Sequence, residues 1–110
     1  MSKRNYQIFL KDIKDCTHKI LEYVKDKSFS AFINDNMLVD AVMKNLMIIG
    51  EAVKKVPEEI RKKHKEIEWK KIAGFRDILI HHYFEIDNDV LWDIIRNKIP
   101  ELKKQIDKIV

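Results

Sequence analysis

One apolar segment, "RDILIHHYF" from Arg76 to Phe84, carries a guanidinium, a carboxylate, two imidazoles and a phenol. Arginine grips anions in a bidentate way. Histidine exchanges protons near neutral pH. Asp77 and His81 stand four residues apart, so on a helix they share a face and can share a hydrogen bond. An acid so placed fixes the imidazole tautomer and raises its pKa, which suits acid–base work, although a stabilising surface pair has the same pattern. The segment therefore concentrates proton-handling and anion-binding groups, with Arg76, Asp77 and His81 at its centre and His82 and Tyr83 beside them.

On a helix at about 100° per residue, Trp69, Ile72, Phe75, Leu79 and Tyr83 cluster on one face, and Arg76 falls about 40° from Ile72. A lone charge within an apolar stripe is expensive. Arg76 must therefore reach an acid, a subunit boundary or an anionic ligand. His81 lies about 140° from Arg76 on the same wheel. A single site using both needs the helix to loosen near His81, or needs side chains from a second copy across a two-fold axis. His81 and His82 are adjacent and diverge, so they do not chelate one metal. With no His-x-x-x-His pair, cysteine cluster or HExxH, no metal is expected. His18 and His64 read as isolated, exposed residues. No triad and no glycine-rich phosphate loop is evident.

The rest of the chain must position these groups. At 110 residues, with 45% hydrophobic and 36% charged residues, it fits one amphipathic helical domain over 1–110. Two glycines and two prolines are too few for a sheet protein with many tight turns. The net charge of +4 permits an anionic partner without requiring one. The single Cys16 fits a reducing cytosol, and little besides Lys19 would lower its pKa, so it is not a candidate nucleophile. The N-terminus has no signal-peptide run and no stretch approaches the length of a membrane helix, which implies a cytoplasmic protein with no membrane partner.

Apolar spacing predicts a helix over 5–26 with Phe9, Ile13, Cys16, Ile20 and Tyr23 as its stripe and Leu10, Leu21 and Val24 alongside, and a second over 37–56 on Leu38, Val42, Leu46, Ile49 and Val53. A short turn of helix carries Phe29, Phe32 and Ile33 between them. Gly50 costs about 1 kcal/mol inside the second helix, which suggests that another backbone approaches there. Pro57 opens a short helix ending near His64. The helix carrying the site begins at Trp69. Asp87 or Asn88 caps the last one, whose stripe is Leu91, Ile95, Leu102, Ile106 and Ile109, and which Pro100 must kink or divide. The expected architecture is all-α, an antiparallel bundle of four main helices with one or two short ones.

The segments "IGEAVKKVP" at 49–57, "WKKIAGFRDILIHHYFEID" at 69–87 and "LW" at 91–92 resemble the HEPN superfamily, specifically the HepT-like toxins that partner MNT nucleotidyltransferases. The resemblance covers most of the chain. Its R-x-x-x-x-H-x-Y motif falls on Arg76, His81 and Tyr83, and Asp77 stands where the family often has Asn. The resemblance implies a homodimer whose motifs face a common basic cleft. It further implies a metal-independent, cofactor-free ribonuclease of a toxin–antitoxin pair, neutralised when the nucleotidyltransferase adds AMP to Tyr83. The residues suit that chemistry. His81 can transfer protons, Arg76 can hold the phosphate and its developing charge, and Asp77 can orient His81. Tyr83 can bind a phosphate or stack on a base, and His82 is a bystander or a secondary phosphate contact. Two other readings stay open: a non-catalytic helical partner or substrate-binding subunit of a nucleotidyltransferase, and a purely structural dimer. Sequence-specific DNA binding is not expected, because no convincing helix-turn-helix is present.

Overall fold

The computed structural model describes residues 5–82 and 85–110. As expected, the fold is all-helical. Helix α1 spans Tyr6–Val24, α2 Phe29–Ile33, α3 Asn36–Lys55, α4 Glu58–Lys63 and α5 Trp69–His81. A C-terminal run joins α6 (Asn88–Asp93), a π-turn (Ile94–Lys98) and α7 (Ile99–Asp107). The long helices α1, α3 and α5 and this run form the bundle. Helix α3 packs between α1 and α5, and α7 packs on α1.

The aliphatic part of the expected α1 stripe forms its core face: Leu10, Ile13, Cys16, Ile20 and Val24 are buried, together with Thr17, while Phe9 is half-buried and Tyr23 is 39% exposed. The aromatic rings at the edge of the stripe gave way to the tighter-packing aliphatic positions beside them. Thr17 is tolerated in this face because its Oγ1 donates to the Lys14 carbonyl at 2.7 Å. Along α3 the expected Val42, Leu46, Ile49 and Val53 are buried.

The starts of α2, α3 and α6 are capped by side chains. Ser28 Oγ accepts from the Ala31 amide at 3.0 Å, and Asp35 Oδ1 from the Leu38 amide at 3.1 Å. Asp87 likewise accepts from the Asp89 amide, at 2.7 Å. Asp35→Ala is expected to lower stability by about 1 kcal/mol, seen as a lower midpoint in thermal denaturation followed by circular dichroism. Pro57 sits one residue earlier than expected, at the N-cap of α4. Here Arg61 turns back and donates from Nε to the Val56 carbonyl at 2.9 Å and from an η nitrogen to the Lys54 carbonyl at 3.2 Å. It thereby satisfies carbonyls left open at the end of α3.

Pro100 falls in the first turn of α7, and a π-turn separates α7 from α6, so the helical run is interrupted ahead of the proline rather than ended by it. The turn before it is wound wider, with the Ile99 amide donating to the Ile94 carbonyl, five residues back. A proline ring clashes with the carbonyl four residues earlier and offers no N–H. A π-turn absorbs both problems and lets Leu91, Ile95, Ile99, Leu102 and Ile106 stay buried on one side.

Candidate functional site at the α3–α5 crossing

The site is built where α5 crosses α3. A β-carbon added at Gly50 would overlap the Arg76 Cβ and lie 2.7 Å from its Cγ. The close approach read from Gly50 is therefore real, and what fills the space is the stem of Arg76. The stem is rooted against α3, and the guanidinium emerges at the edge of the crossing, its side chain 21% exposed.

Four charges meet there. One Arg76 η nitrogen donates to Glu51 Oε2 at 2.9 Å, and the other to Asp77 Oδ1 at 3.2 Å. The same Asp77 oxygen accepts from Lys54 Nζ at 2.5 Å. The lysine, and then the arginine, hold the Asp77 carboxyl below its ordinary range. Asp77, with Glu51, in turn raises the guanidinium above its own against the cost of partial burial. Arg76 Nε is buried and has no hydrogen-bond partner among the described residues. Of the three partners open to Arg76, the structure shows acids: Asp77, read from the sequence as a partner of His81, and Glu51 of α3.

Helix α5 keeps its regular winding to the end: His81 is its last residue, and the His82 amide still donates to the Ile78 carbonyl at 2.8 Å. The helix does not loosen at His81, so the divergence of about 140° between Arg76 and His81 stands at the level of the backbone. The arginine side chain closes part of it. Asp77 lies about 100° round the helix from Arg76 and about 40° from His81. By bending to Asp77 the guanidinium reaches the side of α5 on which His81 is exposed one turn later. Asp77 is tied to Lys54 and Arg76. Among the described residues its carboxylate makes no hydrogen bond to the His81 imidazole, which is solvent-exposed and itself makes none.

His82 is also exposed, with Nδ1 3.4 Å from Glu85 Oε2. Tyr83 lies outside the described residues. His18 is exposed as expected, 3.8 Å from Asp107, but His64 is half-buried beside Glu66 and accepts the Trp69 indole N–H on its carbonyl at 2.9 Å. Burial pushes the Cys16 thiol up to about 11, so the thiolate is scarce at neutral pH. Among the described residues no group of three or more His, Cys, Asp or Glu could hold a metal ion, and no helix is long and apolar enough to cross a membrane.

Sequence reasoning missed Glu51 and Lys54. The signal was present in Gly50. Where a glycine admits the neighbouring helix, the residues one and four positions on border the crossing, and here they are an acid and a base.

The described site can be set beside known proteins. A family model described as "Ribonuclease HepT-like" matches residues 13–109. "Putative RNase MJ0125" of Methanocaldococcus jannaschii is 43% identical over 110 residues, 100% of this chain and 95% of the relative. "Putative RNase TTE0752" of Caldanaerobacter subterraneus is 47% identical over 91 residues, 83% of this chain and 81% of the relative. "Probable ribonuclease HepT" of Thermococcus cleftensis is 38% identical over 107 residues, 97% of each. No solved structure gives a significant match. With one family model spanning nearly the whole chain and full-length relatives at this identity, the protein belongs to the HepT-like ribonuclease family.

Proposed function

We propose that the protein is a metal-independent ribonuclease and the toxin of a toxin–antitoxin pair, with Arg76 and His81 as its catalytic residues and Asp77 as the residue that orients His81. The observation that carries this reading is the bend of the Arg76 guanidinium to Asp77, which brings a fixed cation to the side of α5 where an exposed imidazole stands one turn on. Full-length relatives named as ribonucleases support the same reaction class.

In this reaction a base removes the proton of a ribose 2′-hydroxyl, whose oxygen attacks the adjacent phosphorus. The 5′ oxygen leaves with a proton from an acid, and the pentavalent intermediate carries extra negative charge. His81 supplies the proton transfer. Arg76 neutralises the developing charge. Base and acid are both required, and one His81 sits on each chain. A homodimer that sets two α5 ends across one cleft would supply the pair. Tyr83 is the acceptor of AMP from an MNT-type nucleotidyltransferase, and the added phosphate beside Arg76 would exclude RNA by bulk and repulsion. His82 plays no obligatory part.

The test is cleavage of RNA by the purified full-length protein in EDTA. Cleavage products are expected, and RNA that survives at every protein concentration would overturn the assignment. Co-expression with a nucleotidyltransferase of this class should add one AMP to the Tyr83 peptide in mass spectrometry. An unmodified peptide would remove the modification from the account.

A further inference from the structure

The proposed reaction uses Arg76 and His81 and leaves Lys54 unassigned. Its Nζ and the Arg76 η nitrogen converge on a single oxygen, Asp77 Oδ1, at 2.5 and 3.2 Å. Two cations from different helices around one anionic oxygen form the arrangement that a non-bridging phosphate oxygen requires. Neither cation is sealed in: the Lys54 side chain is 38% exposed and that of Arg76 21%, and the Asp77 carboxylate between them is 49% exposed. Both are fixed from behind. The Arg76 stem fills the space at Gly50, and Arg61 holds the Lys54 carbonyl at the end of α3.

Resting on the ribonuclease reading above, we propose that Lys54 is a second phosphate-binding residue of the site, and that the Asp77 carboxylate marks the place a substrate phosphate oxygen takes. The four charges Glu51, Lys54, Arg76 and Asp77 sum to zero, so an incoming phosphate must displace a carboxylate before it feels a net field. Asp77 is the carboxylate to move, because its oxygen lies between the two cations and its side chain borders solvent. On release it turns toward His81, four residues on, which is the direction in which it can orient the imidazole. Lys54 binds the ground-state phosphate and does not touch a transferred proton.

The experiment measures binding of a fluorescein-labelled, uncleavable 2′-O-methyl single-stranded oligoribonucleotide as a function of salt. For a single strand, each phosphate neutralised contributes about −0.7 to the slope of log affinity against log salt. Lys54→Gln is expected to weaken binding about tenfold, the effect of losing one charge-assisted hydrogen bond, and to reduce the slope by about 0.7. Lys54→Arg should retain the slope. Lys54 could instead act only by neutralising Asp77, and the Asp77→Asn background separates the two roles. A phosphate contact predicts the same loss of slope in Lys54→Gln/Asp77→Asn relative to Asp77→Asn, whereas an indirect role predicts no change. A constant unfolded fraction multiplies the apparent affinity by the same factor at every salt concentration and so leaves the slope unchanged. Wild-type protein that cleaves RNA in EDTA, but whose slope is unaltered by Lys54→Gln in the Asp77→Asn background, overturns the Lys54 assignment alone. Wild-type protein that neither binds nor cleaves RNA overturns both.

Discussion

His81→Ala is expected to lower RNA cleavage in EDTA by about 10²–10⁴-fold, the usual contribution of a positioned proton-transfer group, with no loss of the fold. His81 is exposed at the end of α5 and its imidazole makes no hydrogen bond among the described residues, so its removal leaves no buried group unpaired and opens no cavity. Exposed substitutions of this kind change stability by about 0.5 kcal/mol or less. A large kinetic effect without a thermal shift would therefore be chemical. His82→Ala supplies the contrast. That imidazole is also exposed, next in sequence, and turned to Glu85 at 3.4 Å. Its loss should change the rate by no more than a few-fold. Initial cleavage rates of a labelled RNA, beside melting curves for all three proteins, decide the matter. Equal losses in the two variants would mean that this end of α5 is needed for shape or for general charge, and His81 would lose its assigned role.

The elements that place this histidine were legible because amphipathic periodicity is strong in long helices: the starts and faces of α3, α5 and the C-terminal run followed from apolar spacing and from caps such as Asp87. Two local details were left open for a common reason. The aliphatic positions read for α1 are buried, but of its two aromatics Phe9 sits at the rim, where its ring faces the Lys55 ammonium at 5.5 Å, and Tyr23 is exposed. Pro100 was read as kinking the last helix or ending its first half, and the form the interruption takes is a π-turn ahead of the proline. In both, tertiary packing chose between local options that the sequence leaves nearly equal in energy. In the site, the motif residues on α5 could be named from one segment. Their partners could not, because Glu51 and Lys54 lie 25 and 23 residues from Arg76 and Asp77. Only the register of the crossing joins them, and Gly50 was the single visible trace of it.

That register supplies the second large effect, in which two glycines of similar helical setting should respond to alanine with opposite sign. At Gly74 a β-carbon would meet nothing within 4 Å. Gly74→Ala in the exposed part of α5 should stabilise the protein by about 1 kcal/mol, the ordinary helix-propensity gain. At Gly50 the same gain is available, but the new carbon would overlap the Arg76 stem. Unlike a mobile side-chain tip, a Cβ is fixed to the backbone of α5 and can move only if the helix does. Overpacking of this sort costs typically about 1–3 kcal/mol, enough to offset the propensity gain and lower the melting temperature. The displacement also reaches the chemistry. Pushing α5 off α3 carries the guanidinium away from Glu51 and separates Lys54 from Asp77. Misplacement by about 1 Å can cost about 10²-fold in rate, so Gly50→Ala should lose cleavage well beyond its loss of folded protein at the assay temperature. Denaturation midpoints and RNA cleavage rates measured on the two variants test this directly. If Gly50→Ala melts at or above the wild-type temperature and cleaves RNA at the wild-type rate, the close crossing is not what holds Arg76 in place.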